Sequence, residues 1–112
     1  MTNSVVLVGR ITKDLSIQEK ENNKRAFLVL AVPREFKNSD GNYETDFIKC
    51  TLWNGVATNT KEYCKKGDVI GIKGRLQSSQ YEKDGETVYT MEVIADKVTF
   101  LTSKHTSAEK AE

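Results

Sequence analysis

An all-β barrel of five strands, with one short helix between the third and fourth, is the fold this 112-residue sequence predicts. Three observations carry it. Apolar, β-branched runs of strand length recur along the chain, separated by polar turns. Glycines stand inside those runs at Gly9, Gly71 and Gly74, where a sheet closing into a barrel must bend. Only one stretch, between the third and fourth runs, has helical spacing. Isolated bulges in an open sheet are the alternative reading of the glycines.

Val5-Val6-Leu7-Val8 opens the fold as a strand apolar on both faces, followed by Gly9-Arg10, Ile11 and a less regular stretch reaching Ile17. After a polar turn over residues 20–24, residues 26–32 form a second continuous apolar strand. One face of a strand in a small antiparallel domain normally meets water. Two strands apolar on both faces therefore imply a cover for the second face, most simply another copy of the subunit. Val6, Val8, Leu28 and Leu30 are the candidate interface residues.

Pro33 ends the second strand, and residues 34–46 make a polar excursion around a Ser39-Asp40-Gly41 turn, with Phe36 and Tyr43 on either side. The third strand, Phe47-Ile48-Lys49-Cys50-Thr51-Leu52-Trp53, is the most informative stretch. Side chains alternate between faces, so Ile48, Cys50 and Leu52 form a core face while Phe47, Lys49, Thr51 and Trp53 share the other. Residues 56–65 place Val56, Ala57, Tyr63 and Cys64 on one helical face, and Lys65-Lys66-Gly67 matches a helix C-terminus. A strand over 69–80 follows, with Ile70, Ile72 and Leu76 on its core side and Lys73, Arg75, Gln77, Ser79 and Tyr81 opposite. Asp84-Gly85 signals a two-residue hairpin returning through 87–94, and a last short strand over 97–101 completes the domain. Strands in meander order with a helix between the third and fourth are the arrangement of the OB-fold, a five-stranded Greek-key barrel. Residues 1–101 are read as that domain and 102–112 as a small polar tail expected to be disordered.

Seventeen Lys and Arg against sixteen Asp and Glu leave almost no net charge, whereas a nucleic-acid-binding domain is usually basic. Distribution matters more than the sum. No acid occurs over residues 22–34, 47–61 or 69–81, while the acids collect near turns at Asp40, Asp46, Glu82, Asp84 and Glu86. Segregation of this kind can give a near-neutral protein a basic stripe.

Several function classes are disfavoured. Cys50 and Cys64 lack metal-ligand spacing, and the single histidine, His105, falls in the tail, so no metal or cofactor is expected and the cysteines read as small buried side chains. Gly71-x-x-Gly74 opens no helix and is not a phosphate loop. No histidine within the domain could serve a serine or cysteine nucleophile. The chain reads as a non-enzyme. With no leader pattern and no apolar run of about 20 residues, it reads as cytoplasmic, with no membrane partner.

The aromatic residues decide the positive reading. Phe27, Phe100 and Tyr63 sit in apolar surroundings and read as core. Phe36, Phe47, Trp53 and Tyr81 neighbour polar or basic residues and fall on non-core faces. A lone surface aromatic is usually imperfect coverage. Flat rings interleaved with cations are what single strands of nucleic acid stack on, and a stacking platform accepts DNA and RNA alike.

Ordered segments then carry a resemblance. Val6-Leu7-Val8-Gly9-Arg10-Ile11-Thr12-Lys13-Asp14, Leu30-Ala31-Val32, Glu62-Tyr63-Cys64-Lys65-Lys66-Gly67-Asp68, Gly74-Arg75-Leu76-Gln77 and Tyr89-Thr90-Met91-Glu92-Val93 resemble the bacterial single-stranded DNA-binding protein family, over residues 4–100. The resemblance implies an OB barrel, usually a homotetramer, that wraps single-stranded DNA over its aromatics in replication, recombination, repair or DNA uptake, in the cytoplasm at the nucleoid. By position it assigns base stacking to Phe36, Phe47, Trp53 and Tyr81. Phosphate contacts fall to Arg34, Lys37, Lys49, Lys73, Arg75 and Lys83, with Lys49 foremost. Family members often have tryptophan at three stacking positions, which implies somewhat weaker stacking here.

Two departures stand out. Asp14-Leu15 replaces the family's usual Asp-Pro, leaving the following loop less constrained. A long linker with an acidic, partner-recruiting tip is typical of the family. Residues 102–112 resemble short-tailed forms instead, so recruitment of repair enzymes through such a tip is expected to be absent. A protein–protein accessory subunit built on the same barrel is the alternative function, and an OB-scaffold nuclease a more distant one.

Overall fold

The computed structural model describes residues 1–102, as β1 (Val5–Ile11), β2 (Ser16–Lys20), β3 (Asn23–Lys37), β4 (Tyr43–Trp53), α1 (Asn54–Tyr63), β5 (Val69–Lys83) and β6 (Glu86–Thr102). The expected polar tail, apart from Thr102, lies outside the described residues, as does His105. The sheet runs β1-β5-β6-β4-β3-β2, and β1 pairs a second time with β3. That extra pairing closes a barrel of β1, β5, β6, β4 and β3, with β2 attached beside it as the partner strand of β3. The less regular stretch expected to reach Ile17 is divided: residues 12–15 are loop, and β2 is a separate strand that runs on to Lys20, while α1 still lies between the third and fourth strands of the ring.

Closure depends on two glycines. β1 pairs with β5 from Val5 to Arg10 and with β3 at Arg10 and Ile11, so its backbone crosses the seam near Gly9. A Cβ on Gly9 would lie 2.5 Å from the Ala31 carbonyl oxygen and 2.8 Å from Leu30 Cγ. At Gly74 it would collide with the Ile94 carbonyl. There β5 loses register with β6, because Lys73 pairs with Lys97 and Gly74 with Ala95, leaving Asp96 as a bulged residue. The bulge bends β6 without ending it, so the two strands expected over 87–94 and 97–101 are one.

The core is continuous from Ile11 and Leu15 through Ala26, Leu28, Leu30, Cys50 and Leu52 to Ile70, Ile72 and Val93. Leu28 and Leu30 are fully buried within this single chain and cannot cover a partner subunit. Alternation in β3 turns Ala26, Leu28 and Leu30 inward and Phe27, Val29 and Ala31 outward. Both sets are apolar, so sequence could not tell which was which. Val6 and Val8 do face outward, at 71% and 52% exposure. Leu76 is 43% exposed rather than core, because by that point β5 has left the barrel for its arm with β6. A radius of gyration of 16.1 Å, against about 13 Å for a compact chain of this length, reflects the projecting hairpins.

Turn chemistry matches the hairpins. Asp84 and Gly85 have φ of 53° and 80°, and Glu21 and Asn22 have 52° and 69°, the left-handed pairs that two-residue turns require. In the β3–β4 connection the Asn38 side chain accepts from the backbone N–H groups of Asp40 and Asn42. Helix α1 stops at Tyr63, earlier than Lys65, because Cys64 is already extended. Gly67 serves a separate turn in which Asp68 N–H bonds to the Lys65 carbonyl and the Asp68 carboxylate accepts from Lys65 N–H. The loop at Asp14-Leu15 is well held: Leu15 is buried, Lys61 Nζ donates to its carbonyl, and the Asp14 carboxylate accepts from Lys66 N–H.

Candidate nucleic-acid interface

The β3–β4 ladder builds the centre of the site. Its register sets Arg25 opposite Trp53, Phe27 opposite Thr51, Val29 opposite Lys49 and Ala31 opposite Phe47. Residues directly opposite on antiparallel strands share a face, so these eight lie together on the face of the sheet turned away from the core. Arg25, Phe27, Lys49, Thr51 and Trp53 form one side of an open groove of about 490 Å³, and Ser79, Tyr81, Thr90, Met91 and Glu92 of the β5–β6 arm form the other. Trp53 is fixed where β4 passes into α1, and Asn54, at φ 50°, accepts from Lys24 N–H through its side chain. The indole therefore stands at a rigid junction and keeps 40% exposure.

Cations lie on the groove's rings. Lys49 Nζ is 4.4 Å from the Phe27 centroid, and Arg25 Cζ is 4.8 Å from Phe27 and 5.6 Å from Trp53. These distances are within cation–π range. Thr51 is buried beneath this layer, and its hydroxyl has no hydrogen-bond partner among the described residues.

Of the expected stacking residues, Trp53 and Tyr81 line this groove. Phe47 shares the β4 face and is 68% exposed, although it is not part of the groove lining. Phe36, 82% exposed, borders a separate concavity on the β3–β4 arm with Pro33, Arg34, Lys37, Asn38 and Glu44. There Lys37 Nζ lies 5.7 Å from the Tyr43 ring centroid.

The expected phosphate contacts divide more sharply. Lys49 faces the groove. Arg34 donates to Asp46 at 2.9 and 3.1 Å and to Glu44 at 2.8 Å, hydrogen bonds that hold the Asp46 carboxyl below its ordinary range and push the guanidinium higher. Arg75 is paired with Asp96 at 3.3 Å. Lys73 stands opposite Val6 and Lys97, away from the groove lining. Lys83 sits at the hairpin tip opposite Glu86.

Sequence reasoning placed Phe27 in the core and left Arg25 out of the site. Phe27 is only partly buried and forms part of the groove floor. Its apolar neighbours Ala26 and Leu28 point the other way, so the strand's alternation carried the signal, had the inward parity been known. Tyr63, also read as core, is 46% exposed, with its ring 5.8 Å from that of Phe100.

No group of three or more His, Cys, Asp or Glu among the described residues could hold a metal ion. Burial pushes the Cys50 thiol up to about 12 and, with the Asp68 charge, the Cys64 thiol up to about 11, which leaves neither as a nucleophile near neutrality. No helix among the described residues is long and apolar enough to cross a membrane.

Residues 2–101 match the single-strand binding protein family, whose members are binding proteins and not enzymes. The chain is 45% identical over 106 residues to the single-stranded DNA-binding protein B of Bacillus subtilis, an alignment covering 93% of this chain and 94% of that one. It is 46% identical over 106 residues to the single-stranded DNA-binding protein of Oceanobacillus iheyensis, covering 93% of this chain and 66% of that one. With the single-stranded DNA-binding protein of Staphylococcus epidermidis it shares 37% identity over 109 residues, 97% of this chain and 83% of that one.

Proposed function

The chain belongs to the single-strand binding protein family, and on that premise we propose that it binds single-stranded DNA without reading its sequence and protects it stoichiometrically. The observation that carries this reading is the groove in which Lys49, Trp53 and Tyr81 converge. Bases stack on Trp53 and Tyr81 there, and the path continues over Phe47 and onto Phe36 of the β3–β4 arm. Lys49 and Lys37 supply the phosphate contacts. Arg34 and Arg75, already bonded to carboxylates, contribute less. The setting is cytoplasmic DNA, exposed as single strands during replication, recombination, repair or uptake.

Self-association belongs to the same proposal. Val6 and Val8 present an apolar outer strip on β1, suited to a second copy of the chain, with a homotetramer as the expected assembly. Light scattering at micromolar concentration gives about four times the 12.6 kDa chain mass if this is right, and a monomer refutes it.

Trp53 is the only tryptophan and reports binding directly. Oligo-dT quenches its fluorescence strongly and saturably, and a duplex of the same length does not. Absence of quenching with both, together with no mobility shift of labelled oligo-dT, refutes single-strand binding at this groove.

A further inference from the structure

The arginines and lysines of the outer sheet differ in what holds them. Arg34 and Arg75 are held by carboxylates, at 2.8–2.9 Å and 3.3 Å. Arg25 and Lys49 make no ion pair among the described residues and are held by rings instead, both of them by Phe27. The difference is chemical. A carboxylate cancels most of the charge it fixes, and an incoming phosphate must displace it. An aromatic face attracts a cation through its quadrupole and leaves the full charge available. Phe27 is placed for this by register, lying across from Thr51 and between Arg25 on its own strand and Lys49 on the next. Arg25 also reaches the Trp53 ring, which sets a guanidinium beside any base stacked there.

We propose that Arg25 is a phosphate-binding residue of this groove and that Phe27 is its positioning residue, holding Arg25 and Lys49 together as a two-cation clamp on the backbone of the bound strand. The proposal rests on the single-strand-binding reading and adds two residues to it. It also gives a chain of almost zero net charge a means of contacting phosphate: the cations that matter are those anchored without neutralisation.

Salt dependence of oligo-dT binding tests the clamp, because each phosphate neutralised on a single strand adds about 0.7 to the slope of log K against log salt. Arg25→Gln is a surface change expected to leave folding intact, to lower that slope by about 0.7, and to weaken binding several-fold at low salt with a smaller loss at high salt. Phe27→Leu keeps both cations but removes the ring, and is expected to lower affinity and slope together, while Phe27→Tyr restores both. An unchanged slope in Arg25→Gln overturns the clamp, whatever Phe27→Leu does to stability. A Phe27→Leu protein that folds and binds more weakly at wild-type slope overturns the positioning role and makes Phe27 a stacking surface. Wild-type protein that fails to bind at all overturns the underlying reading, an outcome distinct from wild type that binds beside an Arg25→Gln variant with the same slope.

Discussion

Arg25 and Trp53 stand directly opposite each other in the β3–β4 ladder, with the guanidinium carbon 5.6 Å from the indole centroid. Trp53 is thereby fixed from two sides, by the ladder and by the start of α1. Base stacking on an aromatic contributes about 1–3 kcal/mol. Trp53→Ala is therefore expected to weaken oligo-dT binding by about 5- to 160-fold in a fluorescence anisotropy titration, and Trp53→Phe considerably less. An unchanged affinity in Trp53→Ala would move the strand's path away from this groove.

Lys49 and Arg34 make a second contrast. Both were expected to contact phosphate, yet Arg34 is bonded to Glu44 and Asp46 while Lys49 lies on a ring in the groove. Lys49→Gln is expected to lower the salt slope of binding by about 0.7. Arg34→Gln should leave the slope near that of wild type. Equal losses in the two variants would show that the Arg34 pairs open on binding.

Glycines inside strands need not be equivalent. A Cβ on Gly74 would strike the Ile94 carbonyl, whereas at Gly71 its nearest neighbours, including Leu101 Cδ1 and Thr99 Cβ, are 3.8 Å away. Overpacking of this sort costs about 1–3 kcal/mol, occasionally more. Gly74→Ala should lower the urea midpoint clearly, and Gly71→Ala should leave it unchanged or slightly raised, since alanine loses less entropy on folding.

The two buried thiols predict a loss of stability in alkali. An exposed thiol ionises at about 8.5, but burial pushes Cys50 up to about 12 and, with the Asp68 charge, Cys64 up to about 11. A folded-state value above the unfolded one stabilises fully below about pH 8.5. That contribution is lost as pH rises through 11 and 12, because the unfolded chain releases these protons first. Urea midpoints should fall across this window, and fall less steeply in a Cys50→Ala, Cys64→Ala double variant. In native protein near neutrality both thiols should react slowly with a disulfide reagent, and quickly once urea is added.

The cores of the ring strands, the hairpin at Asp84-Gly85, helix α1 and the aromatic–cation face of 47–53 were legible in the sequence, whereas β2, the run of β3 past Pro33 and the unity of β6 were not. Each legible feature depends on local rules: alternation, turn chemistry and helical spacing act over a few residues. Ring closure was also foreshadowed, because Gly9 and Gly74 mark places where a side chain cannot fit. Tertiary structure decided the rest. It alone showed which parity of the apolar run 26–32 points inward, taking Leu28 and Leu30 into the core and releasing Phe27 to the groove. It also showed which cations are neutralised, since Arg34 meets Glu44 and Asp46, and Arg75 meets Asp96, only once the β3–β4 and β5–β6 pairings have set their register. A local pattern says what a side chain is; whether its charge remains available depends on the neighbours that strand pairing sets beside it.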